Sequence, residues 1–248
     1  MATCSSPTPV AARSGPDVSR QEYADRYGLD TEKLWIALLP GSRQKEVKAN
    51  LPEMLRTAVW LQDSEPEKYE FVIPLASTVD TADVRDLKDR SDESFAARNQ
   101  ITPIVLVPDA RLALYHARAA IVASGTATVL AALMGRPFIV VYKVSALSYA
   151  IAKRAIRYPA EIPAPLDAAG NPPVAMVNLI AGRRIVPELL QHRFTPENAA
   201  VALQPLLAET PERTAMIAAL AEVRTLLHPT GPPAIERAAS AVLNLLRP

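Results

Sequence analysis

The sequence holds a single cysteine, Cys4. One thiol cannot build a disulfide framework or a cysteine-based metal site. A reducing compartment is the expectation that follows. Glycine is scarce, with 8 in 248 residues, where about 7% is usual. That excludes a collagen-like repeat and a Gly-rich linker. An excess of one charge is also missing, since 27 Lys and Arg face 26 Asp and Glu for a net charge of +1. This balance gives no electrostatic case for nucleic acid as the main partner. No uncharged apolar run reaches the ~18 residues of a membrane-crossing helix. The start, MATCSSPTPVAARSGPD, lacks the apolar centre of a secretory signal. Neither a Walker A loop nor a G-x-G-x-x-G fingerprint nor a G-x-S-x-G elbow occurs. His116, His192 and His228 stand apart without metal-ligand spacing, which leaves solvated or core-edge roles and no expected metal or cofactor.

What the chain does have is 49% hydrophobic residues and 23 prolines. High apolar content at low net charge argues for a folded core rather than disorder. One domain of about 200 residues with extra segments fits, as do two small domains. Residues 1–18, small, polar and Pro-containing, read as a disordered lead-in to a folded part at 19–248. Ser19 and Glu22 form a capping-box pattern, and Gly28 closes a short helix at 20–27. Apolar runs at 35–39, 70–75, 103–107, 119–123 and 138–142 then alternate with helical stretches at 44–62, 80–92, 109–116, 126–135 and 146–157. Pro52 is expected to bend the first of these helices. Strands alternating with helices predict an α/β fold with a parallel, doubly wound sheet. Five prolines within 159–173 read as a Pro-rich insertion interrupting the pattern. Helices are expected again at 187–192, 196–208, 212–227 and 232–246, the second opened by Thr195-Pro196.

Ligands of open parallel sheets bind beyond the carboxyl ends of the strands. Three loops fall there. The first is Gly41-Ser42-Arg43, where glycine permits close backbone approach and arginine offers a fork to phosphate or carboxylate. A plain turn explains the same residues. The second is Ser124-Gly125-Thr126, whose N–H groups open a helix and favour an anion. An ordinary N-cap explains it as well. The third is Asn178 to Arg183, with Glu188 and Gln191 beyond. Its amides, guanidinium and carboxylate can meet a sugar or phosphate, but a solvated loop is the simpler account. The stretch 146–157 is amphipathic and basic at one end, so it can touch an anionic membrane surface. Packing on the sheet is the favoured reading.

In combination these segments are far more specific. LLPGSRQKEV (38–47), SGTAT (124–128), PFIVVYK (137–143), YAIAKR (149–154), NLIAGRRIVPELLQ (178–191) and TPEN (195–198) resemble, in order and spacing, the lipid-A-disaccharide synthase family. The resemblance spans roughly residues 20–245. It implies a Rossmann-like domain equivalent to the carboxyl-terminal half of a GT-B glycosyltransferase. It implies inverting, metal-independent transfer from UDP-2,3-diacylglucosamine to 2,3-diacylglucosamine 1-phosphate, making the β-1,6-linked lipid A disaccharide and releasing UDP. Arg43 would meet the diphosphate, Ser124, Gly125 and Thr126 would cradle it, and backbone near Val107 and Pro108 would read uracil. Asn178, Glu188 and Gln191 match family positions facing the cleft. The implied location is cytoplasmic, with peripheral contact at the inner face of the bacterial inner membrane.

Two departures stand out. The family carries a complete first domain, with the acceptor site and the proposed general base. Here 34 residues precede the first strand. The base is therefore expected outside this chain, and an amino-terminal domain or a second copy is the expected protein partner. The family motif SGTAT also continues Leu-Glu, a glutamate expected to grip ribose hydroxyls, where this chain has Val129 and Leu130. Leucine cannot accept those bonds, a loss worth roughly 1–3 kcal/mol. A non-catalytic UDP-sugar-binding module or a vestigial fragment is the alternative that these departures leave open. The last helix, 232–246, is expected to present a sticky, unpartnered face.

Overall fold

The computed structural model describes residues 17–75, 79–80, 82, 84–86, 104–144, 158, 162, 165–167, 170–227, 232 and 234–245. The lead-in at 1–16, most of 80–92, the helix expected at 146–157 and most of 159–173 lie outside the described residues.

Helix α1 (Arg20–Tyr27) begins with the capping box read from Ser19 and Glu22 and ends on Gly28 at φ 67°. Strand β1 (Leu34–Leu39) follows, with Trp35 to Leu38 fully buried. Continuous apolar side chains suit a strand covered on both faces. Helix α2 (Gln44–Ser64) stays helical through Pro52 and buries Val47, Leu51, Met54, Leu55, Ala58 and Leu61. That i, i+3, i+4 spacing is the stripe that faces a core. Strands β2 (Tyr69–Pro74) and β3 (Ile104–Val107) come next. Helix α3 (Ala110–His116) is capped by Asp109, whose carboxylate accepts from the Arg111 N–H at 2.7 Å. Then come β4 (Ala119–Ala123), α4 (Thr126–Leu133) and β5 (Phe138–Tyr142).

Six strands form one parallel sheet in the order β3-β2-β1-β4-β5-β6, the sixth being β6 (Glu188–Leu190). Within residues 187–192, expected as a helix, Glu188–Leu190 instead pair with β5, Val140 opposite Glu188 and Tyr142 opposite Leu190. The open edge of β5 supplies ladder hydrogen bonds to this segment, and that pairing prevails over a short helix. A 3-10 turn, Gln191–Arg193, ends it. A six-residue helix, α5 (Met176–Ala181), lies where a loop was expected and closes on Gly182 at φ 64°. Helix α6 (Pro196–Leu207) starts on Thr195, whose hydroxyl accepts from the Asn198 N–H at 3.2 Å. Helices α7 (Pro211–Leu227) and α8 (Ala234–Leu245) complete the described chain.

Helix α2 packs against α6, while α4 and α5 pack against α7. The strand order runs outward in both directions from β1 and β4, so right-handed crossovers put these two groups on opposite faces. Helix α8 leaves Ile235, Val242, Leu243 and Leu245 exposed.

Candidate functional site

The order 3-2-1-4-5-6 has its switch point between β1 and β4. The loops leaving these strands diverge and open a crevice at the carboxyl edge. Leu39 pairs with Val122, so Gly41-Ser42-Arg43 and Ser124-Gly125-Thr126 emerge side by side.

Gly41 has φ 127°, and a Cβ there would lie 2.6 Å from Glu46 Cβ. Only glycine fits this turn. The Ser42 N–H donates to Glu46 Oε2 at 3.2 Å, and Arg43 pairs with Glu46 Oε1 at 2.7 Å. The Arg43 side chain is nevertheless 80% exposed, so most of its guanidinium fork remains free to meet an anion. Buried Asn50, which the sequence reading missed, fixes the loop from below. Its Nδ2 donates to the Pro40 carbonyl at 3.1 Å, and its Oδ1 accepts from the Lys143 N–H at 3.1 Å. The available signal was an amide on the apolar face of α2, between Val47 and Met54. Lys143 Nζ bonds Glu53 at 2.7 Å. Burial raises the Glu53 pKa, but hydrogen bonds from Lys143 and Arg56 outweigh it and hold the carboxyl below its ordinary range. A cleft of about 800 Å³ lies here, with Lys45, Lys48, Arg56 and Lys143 in its wall.

At the second loop, Gly125 adopts φ 151° as the N-cap of α4, with open space where a Cβ would stand. The Ser124 N–H donates to the Val141 carbonyl at 2.9 Å, and Thr128 Oγ1 donates to the Gly125 carbonyl at 2.8 Å. The Thr128 N–H donates to the Gly125 carbonyl at 3.1 Å, but those of Thr126 and Ala127 have no acceptor within the helix and sit at its positive end. An anionic group is the ligand such an end suits.

Asn178 and Glu188 are brought together, but inside the protein rather than in the crevice. Asn178 Oδ1 accepts from the Ile185 and Val186 N–H groups at 2.7 and 3.0 Å, and its Nδ2 donates to Glu188 Oε1 at 2.8 Å. The Glu188 side chain is 1% exposed and accepts from Ala175 N–H at 2.9 Å and Arg184 at 2.7 Å. Gln191 ends β6 at φ 53°, unusual for a residue with a Cβ. Its Oε1 accepts from the Val144 N–H at 3.4 Å, and its Nε2 is buried without a partner. The Val107 carbonyl is already taken by the Leu75 N–H at 2.9 Å, while Pro108 is exposed. Leu130 is half-buried against the core. Among the described residues no group of three His, Cys, Asp or Glu can hold a metal. Among the same residues no helix is long and apolar enough to cross a membrane.

The family model for lipid-A-disaccharide synthetase (LpxB) matches residues 9–241. The chain belongs to this family. Lipid-A-disaccharide synthase of Acidobacterium capsulatum is 46% identical over 237 residues, 94% of this chain and 55% of that protein. That of Koribacter versatilis is 40% identical over 228 residues, 91% of this chain and 53% of that one. The chain thus spans about half the length of these relatives. Among solved structures, apo OtsA aligns with TM-score 0.54 at 13% identity, covering 86% of this chain and 44% of OtsA. An Escherichia coli structure described as bound with UDP-2-fluoro glucose aligns with TM-score 0.51 at 13% identity, covering 88% of this chain and 46% of that one. These likenesses are of fold, a Rossmann-like sheet shared with half of a GT-B glycosyltransferase.

Proposed function

We propose that this chain holds the nucleotide of the donor in a lipid-A-disaccharide synthase. The observation that carries the reading is the meeting of the Gly41-Ser42-Arg43 and Ser124-Gly125-Thr126 loops at the β1/β4 switch point, in a chain of this family. The donor is UDP-2,3-diacylglucosamine, and its diphosphate lies on the first turn of α4, with Arg43 opposite. As the bond to the anomeric carbon breaks, negative charge gathers on departing UDP. The α4 N–H groups are fixed by the helix and need no reorganisation then, and Arg43 turns from Glu46 to meet it. The acceptor, 2,3-diacylglucosamine 1-phosphate, attacks from the opposite side of the sugar and inverts the anomeric centre. A general base must take the hydroxyl proton, and no residue described here fits that role. An amino-terminal domain supplies it. Asn178 and Glu188 serve by bracing the second loop, and Gln191 flanks the crevice at the β6 end. Reaction with acylated substrates fits contact with the inner face of the bacterial inner membrane.

Calorimetry with UDP tests the donor half of this reading. Saturable heat that disappears when Arg43 is removed supports it, and no heat at millimolar UDP sinks it. A disaccharide synthase assay, with and without a supplied amino-terminal domain, tests turnover. Half-buried Leu130, in place of the family glutamate, favours one second reading, a non-catalytic module that binds the UDP-sugar weakly. Nucleotide binding without product in either assay would select it.

A further inference from the structure

The opposite, amino-terminal edge of the sheet carries a second cleft, of about 510 Å³, which the nucleotide reading does not use. Arg20, His116 and Arg136 line it, with Ser19, Tyr115 and Asp17. Arg20 comes from the start of α1, His116 from the end of α3, and Arg136 from the turn before β5.

Arg20 is rigidly held. It donates to the carbonyls of His116 at 2.9 Å and Lys33 at 2.8 Å, and it stacks 3.6 Å over the Trp35 ring. These neutral acceptors fix the guanidinium without cancelling its charge. Arg136 lies 5.4 Å from the Tyr115 ring centroid, its side chain forms no ion pair or hydrogen bond among the described residues, and its Nε is buried without an acceptor among them. His116 is 8% exposed, and its Nε2 is likewise buried and unpartnered among the described residues. Asp17 is the single carboxylate among the described residues of the wall. The two arginines lie close enough to repel one another, and burial together with that repulsion weakens the hold of Arg20 on its proton. Glu70 and Glu32 offset only part of the charge on Arg20, so two like charges gathered at a half-buried cleft, with polar atoms unfilled among the described residues behind them, suit an added anion.

We propose that this cleft binds a phosphate group, free or carried on a small phosphomonoester, between Arg136 and the ring of His116. Arginine matches phosphate with a planar, two-pronged fork, and Arg136 has no other acceptor to satisfy. A protonated phosphate oxygen also donates where a neutral imidazole nitrogen needs a donor, so one ligand suits both groups. The cleft lies across the sheet from the nucleotide loops. Its occupancy is therefore separable from UDP binding.

The test is an NMR titration of the full chain, following the Arg136 Nε–H and His116 ring signals. The ligands are inorganic phosphate and glycerol 3-phosphate, against chloride at equal ionic strength. Saturable shifts with either phosphate and none with chloride are expected, and the tighter of the two tells whether the free or the carried group is preferred. In Arg136→Gln the affinity should fall at least ~tenfold, the loss expected of one charge-assisted hydrogen bond. If that variant does not fold, Arg136→Lys keeps the charge, loses the fork and should still bind several-fold more weakly. Shifts that fail to saturate, match those in chloride, or persist at full affinity in the variant that folds would overturn the assignment. A UDP titration run in parallel should be unchanged in these variants. A chain that loses UDP binding but keeps the phosphate response would separate failure of the nucleotide reading from failure of this one.

Discussion

Ser124 Oγ donates to the carbonyl of Val174 at 2.9 Å, joining the loop after β4 to a segment 50 residues further on. Val174 is in turn held by its N–H, which donates to the buried Glu188 carboxylate at 3.1 Å. Glu188 thus reaches the crevice through one intervening residue while its own side chain is buried. Removing it strands the Val174 and Ala175 N–H groups and takes one acceptor each from the Asn178 amide and Arg184, which keep the Val186 and Asn171 carbonyls. Glu188→Ala should cost about 3–5 kcal/mol, the usual price of breaking a buried charged pair. Urea unfolding measures this. Glu188→Gln keeps the shape and part of the bonding, so it should lose less stability and retain more UDP affinity. Equal stability in all three chains would remove the brace from the argument.

Gly41→Ala places a methyl group 2.6 Å from Glu46 Cβ and 2.7 Å from its Oε2. The backbone must also hold φ 127° with a Cβ present. A strained φ costs on the order of 1–3 kcal/mol. The carboxylate that fixes Ser42 and Arg43 must move as well. Thermal unfolding should show a lower Tm, and calorimetry should show weaker UDP binding. A drop in Tm alone would mean that the loop geometry does not matter to the ligand.

Most of the fold was legible because its strands are buried on both faces. Runs such as WIALL and FIVVY carry that burial as unbroken apolarity, and Ser19, Gly28 and Thr195 mark helix ends by local chemistry. Glu188–Leu190 was not legible as a strand because nothing in three residues favours it. The free edge of β5 makes it one. The loops at Gly41 and Gly125 could be placed from the strand that precedes each. The inward turn of Asn178 and Glu188 could not, since polar residues in a small-residue loop before a helix read as solvated. Their burial depends on the groups they satisfy, which lie 4 to 14 residues away in sequence.

Arg43→Ala separates binding from folding. The side chain is 80% exposed and its pair with Glu46 is three residues apart on the surface. Such pairs contribute little to stability, so the unfolding midpoint should not move. UDP affinity should fall roughly tenfold or more if Arg43 meets the diphosphate. Unchanged affinity removes Arg43 from the site.

Leu130→Glu restores the carboxylate that the resemblance leads one to expect. Leu130 is half-buried on α4, in the turn after Gly125-Thr126. A carboxylate there can accept from ribose hydroxyls, and UDP should bind about tenfold more tightly. The substitution also moves a charge toward the core, so some stability should be lost in its absence of ligand and regained with UDP. No gain in affinity would mean that the ribose lies elsewhere. Deoxy-UDP distinguishes the two, since a hydroxyl that is absent cannot benefit from the new acceptor.

His116 gives the protein a pH dependence whose sign follows from its surroundings. Burial first, then the positive charges of Arg20 and Arg136, lower its pKa from the ordinary 6.5, and a hydrogen bond to the Val18 backbone opposes them only in part. Below 6.5 the unfolded chain protonates this ring while the folded chain still resists. The unfolded state then binds more protons, so stability falls with pH until the folded ring also titrates. Above that window the contribution is constant. Urea midpoints measured across it should decline toward acid, and His116→Gln should flatten the decline. Added phosphate should flatten it too, because an anion beside Arg136 offsets the charges that resist protonation. A decline identical in the variant would assign the dependence to other groups.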